Sequence, residues 1–150
     1  MYIPPHLLSA FVSHLTTIRL SLAQQNGLTI RHVQTLGTLA FQGTVTFKEL
    51  HRALSIPKSA VTGIIDDLHH RGIVERNQDK KDRRRWFVSL APSGRKMADK
   101  LHLDEARSLE PFLQELTESE QQAFHNLLEA FGRGAAWPDQ ARKSFRRRRT

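Results

Sequence analysis

At 150 residues, 39% of them hydrophobic, the chain is long enough for one compact domain with a core and short for two, and its apolar fraction suits a protein that completes its core with a second subunit. It has no cysteine, which excludes disulfides, thiolate zinc sites and cysteine redox sensing, and no run approaches the roughly 18 apolar residues of a membrane span. The net charge of +8 is concentrated: Lys80-Lys81-Asp82-Arg83-Arg84-Arg85 sets five positive charges against one negative, and the stretch from Asp139 onward sets six against one, so the expected partner is a polyanion.

Leu7, Leu8, Phe11, Val12, Leu15, Ile18 and Leu22 recur at three- and four-residue steps, which predicts an amphipathic helix closing near Asn26-Gly27. Thr29 is placed to cap a second helix through about Phe41, with Val33, Leu36, Leu39 and Ala40 inward. Thr46-Phe47-Lys48-Glu49 matches a capping box and opens a short helix ending near Leu54. Ser55 is expected to cap the next helix, Ser55–His70, with Pro57 in its first turn and Ile56, Ala60, Val61, Ile64, Ile65 and Leu68 as its apolar stripe. Arg71-Gly72 ends it.

The period then changes. Ile73-Val74-Glu75-Arg76 and Trp86-Phe87-Val88-Ser89-Leu90 are short, β-prone and separated by a charged tip, which predicts a two-stranded hairpin. Pro92 and Gly94 open a helix expected to run to about Leu116, and Thr117-Glu118-Ser119-Glu120 opens the last one, with Phe124, Leu127, Leu128 and Phe131 on one side and Gly132 after it. From Asp139 to Thr150 the chain is basic, has little to bury, and reads as a flexible tail.

Helix, tight turn, helix and basic-tipped hairpin make the winged helix-turn-helix layout, a mainly α (α+β) fold. Here the sequence resembles the MarR family of bacterial regulators, over Leu50, Leu54, Ser55-Ile56-Pro57-Lys58-Ser59-Ala60-Val61-Thr62, Asp66, Leu68, Arg71-Gly72-Ile73-Val74-Glu75-Arg76, Asp82-Arg83-Arg84 and Val88-Ser89-Leu90-Ala91-Pro92-Ser93-Gly94. With the flanking helices the resemblance covers about residues 6 to 132. It implies a homodimer whose terminal helices interlock, a recognition helix in the major groove, a wing in the adjacent minor groove, and repression relieved by a small anionic or phenolic effector. It divides residues 1–138 into a DNA-binding lobe at about 43–92 and dimerisation helices at about 6–26 and 93–132. Three positions depart from the family pattern. Gly63 and Asp67 stand where many members carry a basic residue, and Ala91 stands where a threonine commonly caps the next helix. Gly63 costs its helix about 1 kcal/mol against alanine, a loss that close approach of another backbone would explain.

Phosphate contacts supply affinity for DNA, and base edges supply sequence. Lys58, Ser59 and Thr62 lie on the outward face of the recognition helix near its start, where the dipole favours anions. Ser59 and Thr62 are candidates for base edges or phosphates, and Lys58 for either. Lys80, Lys81, Arg83, Arg84 and Arg85 form the wing tip, and Asp82 cannot pair with all three arginines. The resemblance implies that Asp82 braces the wing through an arginine and that Arg84 enters the groove, where a weakly hydrated planar guanidinium fits well. Leu7, Phe11, Leu15, Ile18, Phe124, Leu127 and Phe131 exceed what a monomeric core needs and are the candidate dimer contacts.

Eight histidines raise the question of metal, yet without cysteine or H-x-x-x-H spacing no metal site and no cofactor is expected. No Gly-rich phosphate loop or nucleophile elbow is present in the sequence, so no enzyme is expected either. Phe11, Phe41 and Phe47 are candidate walls of an effector pocket. Without disulfides or a leader-like start, a soluble cytoplasmic address is expected. Two other readings stay open: a basic protein binding nucleic acid by charge without sequence choice, and a ligand-sensing adaptor on a winged-helix frame.

Overall fold

The structure, a computed structural model, describes residues 4–133; the basic stretch expected as a tail lies outside them. Along the described residues run α1 (Pro5–Gln25), α2 (Ile30–Gln42), β1 (Val45–Thr46), α3 (Phe47–Leu54), α4 (Lys58–His70), β2 (Val74–Gln78), β3 (Trp86–Leu90), α5 (Pro92–Arg107), α6 (Glu110–Gln114) and α7 (Glu118–Arg133). Helix pair α3–α4 followed by the β2–β3 hairpin is the winged helix-turn-helix expected from the sequence.

Local chemistry explains most boundaries. Thr29 accepts the His32 amide at 3.2 Å and Thr46 accepts the Glu49 amide at 3.2 Å, each closing a reciprocal box. Thr117 and Glu120 do the same for α7, and these bonds hold the Glu120 carboxyl below its ordinary range. At the end of α1, Leu28 donates to the Ala23 carbonyl at 2.8 Å and Gly27 to Gln24 at 3.1 Å. The same pair of bonds recurs at the end of α4, from Ile73 to Leu68 and from Gly72 to His69, both 2.9 Å. Both glycines sit at positive φ, +63° and +69°, which is what this helix stop requires.

Leu36, Leu39, Leu50, Val61, Ile65, Leu68, Val74 and Val88 form the core where α2, α3 and α4 meet the sheet. Burying each such side chain stabilises the fold by roughly 1.5–3 kcal/mol before chain entropy is counted. Gly94 fixes how α5 departs from the hairpin, because a Cβ there would lie 2.0 Å from the Ile73 carbonyl oxygen.

The β2–β3 hairpin is the expected two-stranded wing, and β1 adds a third strand to it in the antiparallel order β1-β3-β2, with Val45 and Arg76 both opposite Val88. A two-residue strand has no periodicity to read. The structure corrects four expectations. Ser55 does not cap α4. It closes α3 in the left-handed conformation (φ 52°, ψ 42°), and Pro57, which disfavours helix at Ile56, delays α4 until Lys58. The helix expected from Pro92 to Leu116 stops at Arg107 and resumes at Glu110. Pro111 cannot donate, and its ring would meet the Arg107 carbonyl in a continuous helix. Finally, Ala60, expected in the buried stripe of α4, is exposed, and Gly132 lies within α7 rather than after it.

Candidate nucleic-acid interface

The α4 helix buries Val61, Ile65 and Leu68 and turns Lys58, Ser59, Thr62 and Gly63 to solvent. Thr62 donates its hydroxyl to the Lys58 carbonyl at 3.2 Å, so its oxygen lone pairs stay available as acceptors. Among the described residues a Cβ on Gly63 would meet nothing within 4 Å, so no close approach there explains the glycine. One turn on, Asp66 would put a negative charge on this surface, but the Arg76 guanidinium of β2 is bonded to its carboxylate. The same guanidinium lies 5.9 Å from the centroid of the Trp86 ring on β3. Helix and wing are thereby joined through Asp66, Arg76 and Trp86, a linkage between elements that no local pattern announces.

All of Lys80, Lys81, Arg83, Arg84 and Arg85 are exposed at the hairpin tip. The tip backbone is held from within: Gln78 donates to the Arg83 carbonyl at 2.6 Å, Asp82 Oδ1 accepts the Arg84 amide at 3.0 Å, and the Asp79 amide donates to the Arg85 carbonyl at 2.9 Å. Asp82 thus braces the wing through a backbone amide rather than through a guanidinium. Arg85 is the arginine tied back, 3.9 Å from Asp79 Oδ2 and 5.6 Å from the Phe87 ring centroid. Among the described residues Arg83 and Arg84 have no side-chain ion pair.

A second linkage missed at the sequence level joins α2 to the far end of α4. His32 is buried; its Nδ1 accepts the Thr29 amide at 3.2 Å, and its Nε2 lies 3.1 Å from Asp67 Oδ2. These partners put the neutral ring's proton on Nε2. Arg71 reaches the same oxygen at 3.0 Å and donates to the Gly27 carbonyl at 2.8 Å. Burial holds the His32 pKa below its ordinary value, Asp67 opposes that shift, and Arg71 adds to it. Asp67 as a departure from the family pattern was the signal; its partner was not visible.

The candidate dimer residues divide. Leu7, Phe11, Leu127 and Phe131 are exposed, whereas Leu15 and Phe124 are half-buried and Ile18 packs against the core. Phe11 meets Phe124 edge-on at 6.5 Å, and Phe112 meets it at 6.0 Å. A cleft of about 480 Å³ opens between α1, α2, α3 and α5, lined by Arg19, Leu22, Val33, Phe41, Leu101 and His102 among others. Of the three candidate wall phenylalanines only Phe41 lines it. Among the described residues no helix is long and apolar enough to cross a membrane.

Residues 26–85, which span the helix-turn-helix and the wing, match the model of the MarR family. A curated relative, the uncharacterized HTH-type transcriptional regulator YwhA of Bacillus subtilis (strain 168), is 27% identical over 82 residues, 55% of this chain and 59% of that protein, so the likeness spans little more than half of the relative's length. Wild-type MarR from E. coli in its apo form superposes with a TM-score of 0.73 at 23% identity, over 87% of this chain and 98% of that one. A mutant of S. aureus MepR bound to an oligodeoxyribonucleotide gives 0.65 at 20%, over 87% and 96%. NadR in complex with 4-hydroxyphenylacetate gives 0.65 at 24%, over 87% and 92%. At these identities the solved structures are a likeness of fold. The family model is seated on residues 26–85, and the described chain shares the winged helix-turn-helix fold of the solved MarR proteins.

Proposed function

We propose that the chain is a sequence-specific, double-stranded DNA-binding transcriptional regulator, a ligand-responsive repressor that works as a cytoplasmic homodimer on a palindromic operator and not as an enzyme. One observation carries this reading. The exposed, anion-favouring start of α4 and the arginine-tipped wing are fixed to each other through Asp66 and Arg76, with the only carboxylate on the outward face of α4 between Lys58 and Asp66 neutralised by that bond. Lys58, Ser59 and Thr62 then face the major groove, and Lys80, Lys81, Arg83 and Arg84 reach phosphates or the narrow groove beside it. The oligonucleotide-bound MepR structure supports the same use of the fold.

A single such module buries little DNA surface, whereas two copies related by a two-fold axis span half-sites about one helical turn apart. Leu7, Leu8, Phe11, Leu127, Leu128 and Phe131 give α1 and α7 an exposed apolar face suited to that pairing. In this reading residues 43–92 form the DNA-binding lobe, the helices on either side form the dimer, and the stretch from Asp139 adds nonspecific phosphate contacts. The cleft beside Arg19 and His102 suits a small anionic or phenolic effector, the class to which the ligand in the NadR structure belongs.

Selection of bound sequences from a random duplex pool tests the reading. A palindromic motif bound at least ~10³ times more tightly than random duplex at fixed salt is the expected result. Enrichment without a motif would replace it with charge-driven, nonspecific binding.

A further inference from the structure

We propose that the proton is an effector of this protein: neutral His32 holds α4 in place against α2, and protonation of His32 opens that hold and lowers affinity for the operator. The proposal rests on the DNA-binding reading above and adds a regulatory input to it.

The geometry makes the two protonation states incompatible. In the neutral ring Nδ1 is the acceptor that closes the cap of α2, taking the Thr29 amide at 3.2 Å, while Nε2 donates to Asp67. A second proton has to go on Nδ1. That nitrogen then faces the Thr29 N–H as donor against donor, and the cap is lost. The imidazolium meanwhile binds the Asp67 carboxylate more strongly, so the ring follows the carboxylate, which is itself half-exposed, and the first turn of α2 comes free. The end of α4 is then no longer held against a fixed neighbour. Because α2 also supplies Val33, Leu36 and Phe41 to the cleft, the lock sits between the cleft and the proposed recognition helix.

Among the described residues the charged groups that face the ring are few. From α4 they are Asp67 and Arg71. On α2 itself Arg31 is turned to Gln34 at 3.0 Å. At the end of α1, Asn26 is neutral and its Oδ1 accepts from Lys100 of α5 at 2.8 Å. His51, His69 and His70 make their ring contacts with the Ile56, Val74 and Asp66 carbonyls and are unchanged in a His32 variant, so the variant isolates the lock.

The test measures affinity for the selected duplex at fixed ionic strength from about pH 5.5 to 7.5, the range in which histidine charge changes, for wild type, His32→Gln and Asp67→Asn, with thermal unfolding at each pH. Glutamine can accept the Thr29 amide and donate to Asp67 but does not titrate. Wild type should lose about fivefold in affinity relative to His32→Gln at the acid end. Asp67→Asn removes the carboxylate that favours the charged ring, so its loss should move to lower pH, a shift that a merely structural role would not produce. Parallel profiles for wild type and His32→Gln, or an unmoved profile for Asp67→Asn, would overturn the lock while leaving the regulator intact. Should His32→Gln fail to fold, the Asp67→Asn profile decides. Absence of motif-specific binding at neutral pH would overturn the DNA-binding reading itself, and the lock with it.

Discussion

The Asp66 carboxylate of α4 is bonded to the Arg76 guanidinium of β2, and the same guanidinium covers one face of Trp86 on β3. This contact links the proposed recognition helix to the wing and masks a negative charge that would otherwise face phosphate.

Replacing Arg76 with alanine should therefore damage DNA binding more than folding. Both partners are substantially exposed, so the ion pair contributes at most about 1 kcal/mol to stability. Freeing Asp66 beside a phosphate backbone, with the wing no longer tied to the helix, should weaken specific duplex binding by about tenfold or more. Adding Asp66→Asn to Arg76→Ala should restore part of that loss by removing the exposed charge. A double variant no better than the single one would show that wing placement alone matters.

Gly94→Ala addresses the packing that sets the hairpin against α5. The added carbon would stand 2.0 Å from the Ile73 carbonyl oxygen, which also accepts the Ala91 amide at 3.0 Å. Backbone on both sides has to move, and the expected destabilisation is about 2–3 kcal/mol, read as a lowered denaturation midpoint with unchanged m-value. Gly63→Ala is the contrast: its Cβ meets nothing within 4 Å, and alanine should stabilise α4 by up to about 1 kcal/mol. A drop in duplex affinity in that more stable variant would locate the reason for Gly63 in the bound DNA.

What the sequence could and could not convey follows from the range of each interaction. The boxes at Thr46 and Thr117 and the stop at Gly72 are made by residues within five positions of one another, and spacing reveals them. Phe112, Leu113 and Leu116 continue an apolar rhythm across Pro111, so periodicity outweighed the one residue that breaks the helix. Ser55 resembles a cap in one dimension, but the reversal between α3 and α4 needs a left-handed residue there. The wing's charge is a contiguous run and was legible. That Arg85 is tied back while Arg83 and Arg84 are not depends on Asp79 and Phe87 across the hairpin. Arg76, which pairs with Asp66, and His32, which pairs with Asp67, lie on other elements, ten and thirty-five positions away, where no local pattern reaches.

The buried His32 gives stability a pH dependence of definite sign. Its folded pKa lies below the ordinary 6.5, so the unfolded chain takes up the proton more readily. Stability is fully present above about 6.5 and declines as the pH falls from there toward the depressed folded value. The thermal midpoint of wild type should fall over that interval, and His32→Gln should flatten the change. An equally steep fall in the variant would assign it to the exposed histidines instead.

The wing arginines should divide into two kinds. Each phosphate neutralised adds about 0.9 to the slope of log affinity against log salt. Arg83 and Arg84 lack side-chain ion pairs among the described residues, whereas Arg85 is shared between Asp79 and the Phe87 face. Replacing Arg83 and Arg84 together with alanine should reduce the slope by up to about 2 while leaving the thermal midpoint unchanged. Arg85→Ala should leave the slope nearly as it was and loosen the hairpin tip, because the Asp79 carboxylate and the Phe87 ring lose the group that spans them. Amide exchange at Lys81 and Arg85 reports that loosening: Lys81 donates to Asp79 Oδ1 at 2.8 Å and Arg85 to the Asp82 carbonyl at 2.9 Å. If instead Arg85→Ala carried the change in slope and the double replacement carried none, the wing would meet DNA through the arginine that the free protein holds back, and binding would have to begin by breaking the contact with Asp79.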